Sequence, residues 1–134
     1  MTSIPFGPSD PRLQISLKVV DPRIHFALNC GAQSCPPIAV YSENPEELDR
    51  QLSMATENFI AGNVQVDVKS KFVKVSMIFS WYKADFGDTD LAVIQWIALN
   101  GPKQTSSSIS ELLTICPTPA LKFDYYNWNV NSAA

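Results

Sequence analysis

Four residues in one short stretch carry side chains that do chemistry: His25, Asn29, Cys30 and Cys35. A cysteine nucleophile works with a base within about 3.2 Å or through one water. His25 is the only histidine in the chain. If Ile24 to Cys30 runs as a continuous strand, His25 lies roughly 16 Å from Cys30, at about 3.3 Å per residue. The two side chains would also point to opposite faces, so a Cys–His contact is not expected. The better functional arrangement places His25 and Asn29 on one strand face. The small Ala27 between them leaves room for a ligand, and a further partner comes from another strand or from an upstream segment. Ranked ahead of it is the structural reading, a core histidine hydrogen-bonded to backbone or a neighbouring strand.

The cysteines have three readings. A Cys30–Cys35 disulfide would close a short turn through Gly31 and stabilise it by roughly 2 kcal/mol in the chain-entropy model. As buried thiols the two would fill space. As a nucleophile, Cys30 would have backbone N–H groups beside Gly31 available to a developing oxyanion. The order of preference is disulfide, structural thiol, nucleophile. Zinc comes last, because one histidine and two cysteines with four residues between them do not complete a site. Cys116 stands apart between Ile115 and Pro117. No carboxylate pair, phosphate-binding glycine loop or nucleotide motif is present, and no cofactor or metal is expected.

The elements that must position these residues follow from local patterns. Met1 to Arg12, with Pro5, Gly7, Pro8 and Pro11, reads as an irregular lead-in. Leu13 to Val20 reads as a short strand, broken by Asp21-Pro22. Ile24 to Cys30 is apolar on both faces, which predicts a central or next-to-central strand. Gly31 to Pro37 is a tight loop, with Cys35 and Pro36 held extended by the prolines that follow them. Asn44, Pro45, Glu46 and Glu47 open a helix with an apolar stripe of Leu48, Leu52, Ala55 and Phe59, stopped at Gly62. Val64 to Val68 and Phe72 to Val75 form a hairpin around Lys69-Ser70-Lys71. Helices are expected from Ser76 to Phe86, from Asp90 to Leu99, and from the polar link Thr105–Ser108 to Ile115. Leu121 to Val130 reads as the last strand, with Tyr126 and Trp128 on one face and Tyr125 on the other. The expected fold class is α+β: an antiparallel sheet of four or five strands with roughly four packed helices.

Composition limits what the protein does. The 134 residues suffice for one domain with a buried core. The content of 46% hydrophobic and 17% charged residues is that of a globular chain. A net charge of -3 removes the electrostatic basis for sequence-independent nucleic-acid binding. Lys69, Lys71 and Lys74 mark a solvated turn rather than a basic patch. The longest apolar run, Leu91 to Leu99, is interrupted by Gln95 and is half the length of a membrane span. Met1 to Arg12 has no apolar leader core, so a cytoplasmic location is expected if that start is the genuine one.

The run Asp21 to Ile38, DPRIHFALNCGAQSCPPI, resembles the signature block of the domain of unknown function 547. Val75 to Gly87, with its Trp81-Tyr82 pair and Asp85-Phe86, resembles a second block of that family. Tyr126 to Asn131 resembles its closing strand, with Asn127 where the family more often has aspartate. The resemblance spans about residues 6 to 131. The family's upstream helical segment, with its Tyr-Asn pair, has no counterpart before Asp21. The expectation is therefore a single truncated domain, residues 1–134, whose missing half leaves an apolar patch uncovered. The resemblance implies no established activity, cofactor or mechanism.

Two functions of different class follow. One is a binding or interaction module, with a small-molecule or protein partner and a structurally pinned Cys-x4-Cys loop. The other is a thiol-dependent hydrolase or transferase completed by residues outside the chain. Thiol chemistry divides them: an inert or oxidised pair against a reactive thiolate.

Overall fold

The computed structural model describes residues 6–132, and its architecture is α+β. Five helices, α1 (Pro45–Asn63), α2 (Ile78–Trp81), α3 (Lys83–Phe86), α4 (Asp90–Asn100) and α5 (Lys103–Ile115), surround a sheet of β1 (Val64–Asp67), β2 (Phe72–Val75) and β3 (Ala120–Phe123). Two 3-10 turns, Pro11–Gln14 and Pro22–Phe26, precede them.

The sheet has three strands in the order β1-β2-β3 and is mixed, not an antiparallel sheet of four or five. The hairpin forms as expected, with Val64 opposite Val75 and Asp67 opposite Phe72. Asp67 Oδ1 accepts the Ser70 N–H, and Lys71 takes φ 58° to close the turn. β3 runs parallel to β2, with Phe72 opposite Ala120 and Val75 opposite Phe123. All four helices from α2 to α5 lie between these strands, and a parallel pair needs such a long crossover. Nothing in the composition of Leu121 to Val130 specifies that direction.

Two expected strands are turns. The Asp21 carboxylate accepts the Arg23 N–H at 3.1 Å, Pro22 occupies the first helical position, and Pro22–Phe26 winds as a 3-10 helix. Asn44 and Pro45 open α1 by the same device, with Asn44 Oδ1 accepting from the N–H groups of Glu46 and Glu47. Asp21-Pro22 is thus a helix start as well as a strand breaker, and His25 does not lie in a central strand. Asp10-Pro11 repeats the pattern, so Pro11–Gln14 is a turn, and Ile15, Leu17 and Val19 beyond it are exposed. The final segment leaves the sheet after Phe123 and continues extended to a single bridge between Val130 and Ala32.

The helix expected over Ser76 to Phe86 divides into α2 and α3 at Tyr82, whose backbone (φ -113°, ψ 28°) is not helical. α5 begins at Lys103, so Thr105–Ser108 lies inside it rather than before it. There the Ser106 hydroxyl lies within hydrogen-bond distance of the Ala98 and Pro102 carbonyls, tying α5 to the end of α4.

Val73 and Val75 of β2 are fully buried beneath Ile60 of α1, Phe79 of α2, Val93, Ile94 and Ile97 of α4, and Ile109 and Leu112 of α5. Phe26 joins this core from the 3-10 turn and stacks on Phe59 with ring centroids 4.7 Å apart. Where α4 meets α1, Gly101 is closely packed: a Cβ there would fall 2.7 Å from the Ile97 carbonyl oxygen and 2.9 Å from Ile60 Cγ2. Gly101→Ala should therefore destabilise the fold by about 1–3 kcal/mol by overpacking. Urea unfolding measures this, and a variant as stable as the parent would mean that the two helices separate without cost.

Candidate functional site

The Pro22–Phe26 turn faces Phe26 into the core and leaves His25 beside α2 and α3. The His25 ring stacks on Tyr82 with centroids 4.1 Å apart and planes 19° from parallel. His25 Nε2 lies 2.9 Å from Asp85 Oδ2. The imidazole is only 10% exposed and the carboxylate 25%, so the pair is largely withdrawn from water. Tyr82 and Asp85, three residues apart, come to the same side of the chain as it passes from α2 into α3. His25 is therefore not a core histidine bonded to backbone; its partner is a carboxylate sixty residues away.

Arg23 anchors the turn that carries His25. Its guanidinium donates to Asp21 Oδ2 at 2.7 Å, to Asp49 Oδ1 at 2.8 Å and to Ser53 Oγ at 2.8 Å, fastening the turn to α1. Hydrogen bonding to Arg23 holds the Asp21 carboxyl below the usual aspartate range, against the opposing effect of burial.

Asn29 serves the loop. Its Oδ1 accepts the Gly31 N–H at 2.7 Å and its Nδ2 donates to the Pro36 carbonyl oxygen. These bonds draw the ends of the Gly31–Pro36 loop together, and Gly31 turns it at φ 85°, a region L side chains rarely enter. Cys30 and Cys35 lie at disulfide distance as a result, with Cα atoms 6.4 Å apart. The sequence ranking of the disulfide first agrees with this placement. Cys30 is exposed and Cys35 half-buried. Cys35 Sγ accepts the Cys30 N–H at 3.2 Å and lies 3.1 Å from the Tyr126 hydroxyl. A bridged sulfur carries no proton, so Tyr126 is the donor in that contact. Burial pushes the Tyr126 phenol up, and it keeps its proton at neutral pH.

The extended segment after β3 secures the loop from the other side. Gln33 N–H donates to the Asn129 carbonyl, Asn131 N–H to the Gly31 carbonyl, and Asn127 N–H to the Ser34 hydroxyl. Tyr126 and Trp128 come to one side, as alternation predicts, and Trp81 packs against both with centroids 4.8 and 5.3 Å away. Tyr125 is exposed.

These parts enclose an open cleft of about 270 Å³. His25, Asn29, Cys30 and Cys35 all line it, together with Leu28, Pro36, Ile78, Trp81, Tyr82, Tyr126 and Trp128. The 16 Å separation expected along a strand does not apply, because residues 24–30 do not run extended. Yet among the described residues neither cysteine sulfur hydrogen-bonds to the His25 ring, whose Nε2 is occupied by Asp85. Asp85 and the Tyr126–Cys35 contact were not legible as site features. The signals for Asp85 were its spacing of three from Tyr82 and its place in the family-like block Val75 to Gly87. Cys116 is half-buried beside the core, away from the cleft. Among the described residues, no group of three or more His, Cys, Asp or Glu side chains is placed to hold a metal. No described helix is long and apolar enough to cross a membrane.

Residues 1–60 match the model of a family described as Protein of unknown function, DUF547. The match covers less than half of the chain and supports a domain of unknown function 547 over those residues. The DUF547 match includes the Arg23 clamp, His25 and the whole cysteine loop, and ends within α1 before Asp85, Tyr126 and Trp128. No curated protein and no solved structure matches the chain.

Proposed function

We propose that this DUF547 chain is a binding module whose ligand occupies the aromatic cleft, with the Cys30–Cys35 loop as a pinned wall. One observation carries the reading. Residues from the 3-10 turn, the cysteine loop, α2 and the last segment converge on a single concave, mostly apolar surface with a few polar groups. Exposed Trp128 and Trp81 offer ring faces to a planar ligand, and the His25–Asp85 pair offers polarity at the other end. The cleft volume suits a small molecule or one side chain of a peptide. The hydrolase or transferase reading has less support, since a thiol nucleophile needs a base and Cys35 Sγ contacts the Cys30 N–H and the Tyr126 hydroxyl, not the His25 ring.

The test is an NMR titration with 4-nitrophenol, a planar ring bearing a hydrogen-bonding group. The indole N–H signals of Trp81 and Trp128 should shift together while that of Trp96, packed against core aromatics, stays in place. Trp128→Ala, at an exposed position, should weaken binding by about tenfold, equivalent to 1.4 kcal/mol. Uniform shifts at all three tryptophans, or none, would refute the cleft as a ligand site.

A further inference from the structure

The two cysteines are not equivalent, and the difference has a direction. The Cys30 residue is exposed at the rim of the cleft, whereas Cys35 is half-buried and its sulfur receives the Cys30 N–H and the Tyr126 hydroxyl. Both donors are aimed at the atom that would become negative if the bridge opened at Cys30. We infer that the Cys30–Cys35 bridge is an exchange site for a small thiol, attacked at Cys30 and releasing Cys35 as the leaving thiolate.

The step balances. The incoming thiol loses its proton to water, and its sulfur lone pair forms a new S–S bond to Cys30 Sγ. The Cys30–Cys35 bond breaks and its electron pair leaves on Cys35 Sγ, so one disulfide replaces another with no net oxidation. A better-stabilised leaving thiolate departs faster. Hydrogen bonds to a charged acceptor are stronger than those to a neutral one, so the two donors favour the opened state more than the closed one. A second molecule of the same thiol attacking the mixed disulfide would leave Cys30 and Cys35 reduced and the small thiol oxidised to its dimer. Opening the bridge also removes the one covalent tie across the loop that walls the cleft, leaving it held by hydrogen bonds alone, so exchange would regulate binding there. This regulatory role rests on the binding reading; the exchange itself does not.

The experiment treats the oxidised protein with 2-mercaptoethanol, quenches with acid, alkylates free thiols and maps both cysteines by mass spectrometry. The expected product carries the mercaptoethanol adduct on Cys30 and the alkyl group on Cys35. The native bridge should open faster than that of an oxidised peptide spanning residues 29–36, which lacks Tyr126. Tyr126→Phe should slow opening by about tenfold, the loss of one charge-assisted donor. An adduct on Cys35, or opening no faster than in the peptide, overturns the inference without needing any variant. A Tyr126→Phe protein that melts like the parent and opens within twofold of its rate overturns it too. The 4-nitrophenol titration of the oxidised protein is independent of these outcomes, so binding and exchange fail separately.

Discussion

Phe26→Ala is expected to destabilise the protein by about 3–5 kcal/mol, the usual cost of emptying a buried phenylalanine site. Phe26 is 1% exposed and packs against the rings of Phe59, Phe79, Phe86 and Trp96, which belong to four different helices, α1 to α4. No single neighbour can relax into the space without leaving the others. Leu28, two residues on, is 64% exposed, and Leu28→Ala should cost no more than about 0.5 kcal/mol. The contrast is diagnostic. In a strand Ile24, Phe26 and Leu28 share a face and would be similarly buried, whereas a 3-10 turn sends Phe26 alone to the core. Thermal melts of the two variants decide it, with a drop in midpoint on the order of 10 °C expected for Phe26→Ala. Equal losses at Phe26 and Leu28 would contradict the turn. The effect should reach the cleft, because Phe26 is the residue that seats the turn carrying His25.

Arg23→Ala is expected to cost about 2–3 kcal/mol, given about 1.5–3 kcal/mol for a hydrogen bond to a charged group and some loss to solvent screening. Screening matters because the Asp49 carboxylate is 69% exposed while Arg23 is 20% exposed. Arg23→Lys should restore little, since an ammonium cannot reproduce the fork that reaches Asp21, Asp49 and Ser53 together. The pH dependence has a definite sign. Asp21 has its folded-state pKa depressed from the ordinary 3.8, chiefly by hydrogen bonding to Arg23. Its contribution is thus fully present above that value and is lost as pH falls from there through the depressed one. The stability gap between the parent and Arg23→Ala should accordingly narrow below pH 3.8 in urea titrations. A gap unchanged down to the acid limit would mean that Arg23 acts through packing of its aliphatic stem alone.

What the sequence determined by itself is the set of features whose causes lie within a few residues. The cap and proline at Asn44-Pro45, the hairpin around Lys69-Ser70-Lys71 and the Cys30–Cys35 proximity through Gly31 all follow from short-range sterics and hydrogen bonds. Asp21-Pro22-Arg23 belongs with them in principle, since it starts a turn by the same rule as Asn44-Pro45. The apolar character of both faces of Ile24 to Cys30 outweighed that local signal, because a short apolar run reads alike in a strand or a turn. The tertiary structure alone decided three things. It set β3 parallel to β2, because direction depends on where four intervening helices return the chain. It paired His25 with Asp85 across sixty residues, and Cys35 with Tyr126 across ninety-one. It also gathered these groups around one cleft, which no local pattern encodes, since a cleft is the space left between elements after their apolar faces have packed.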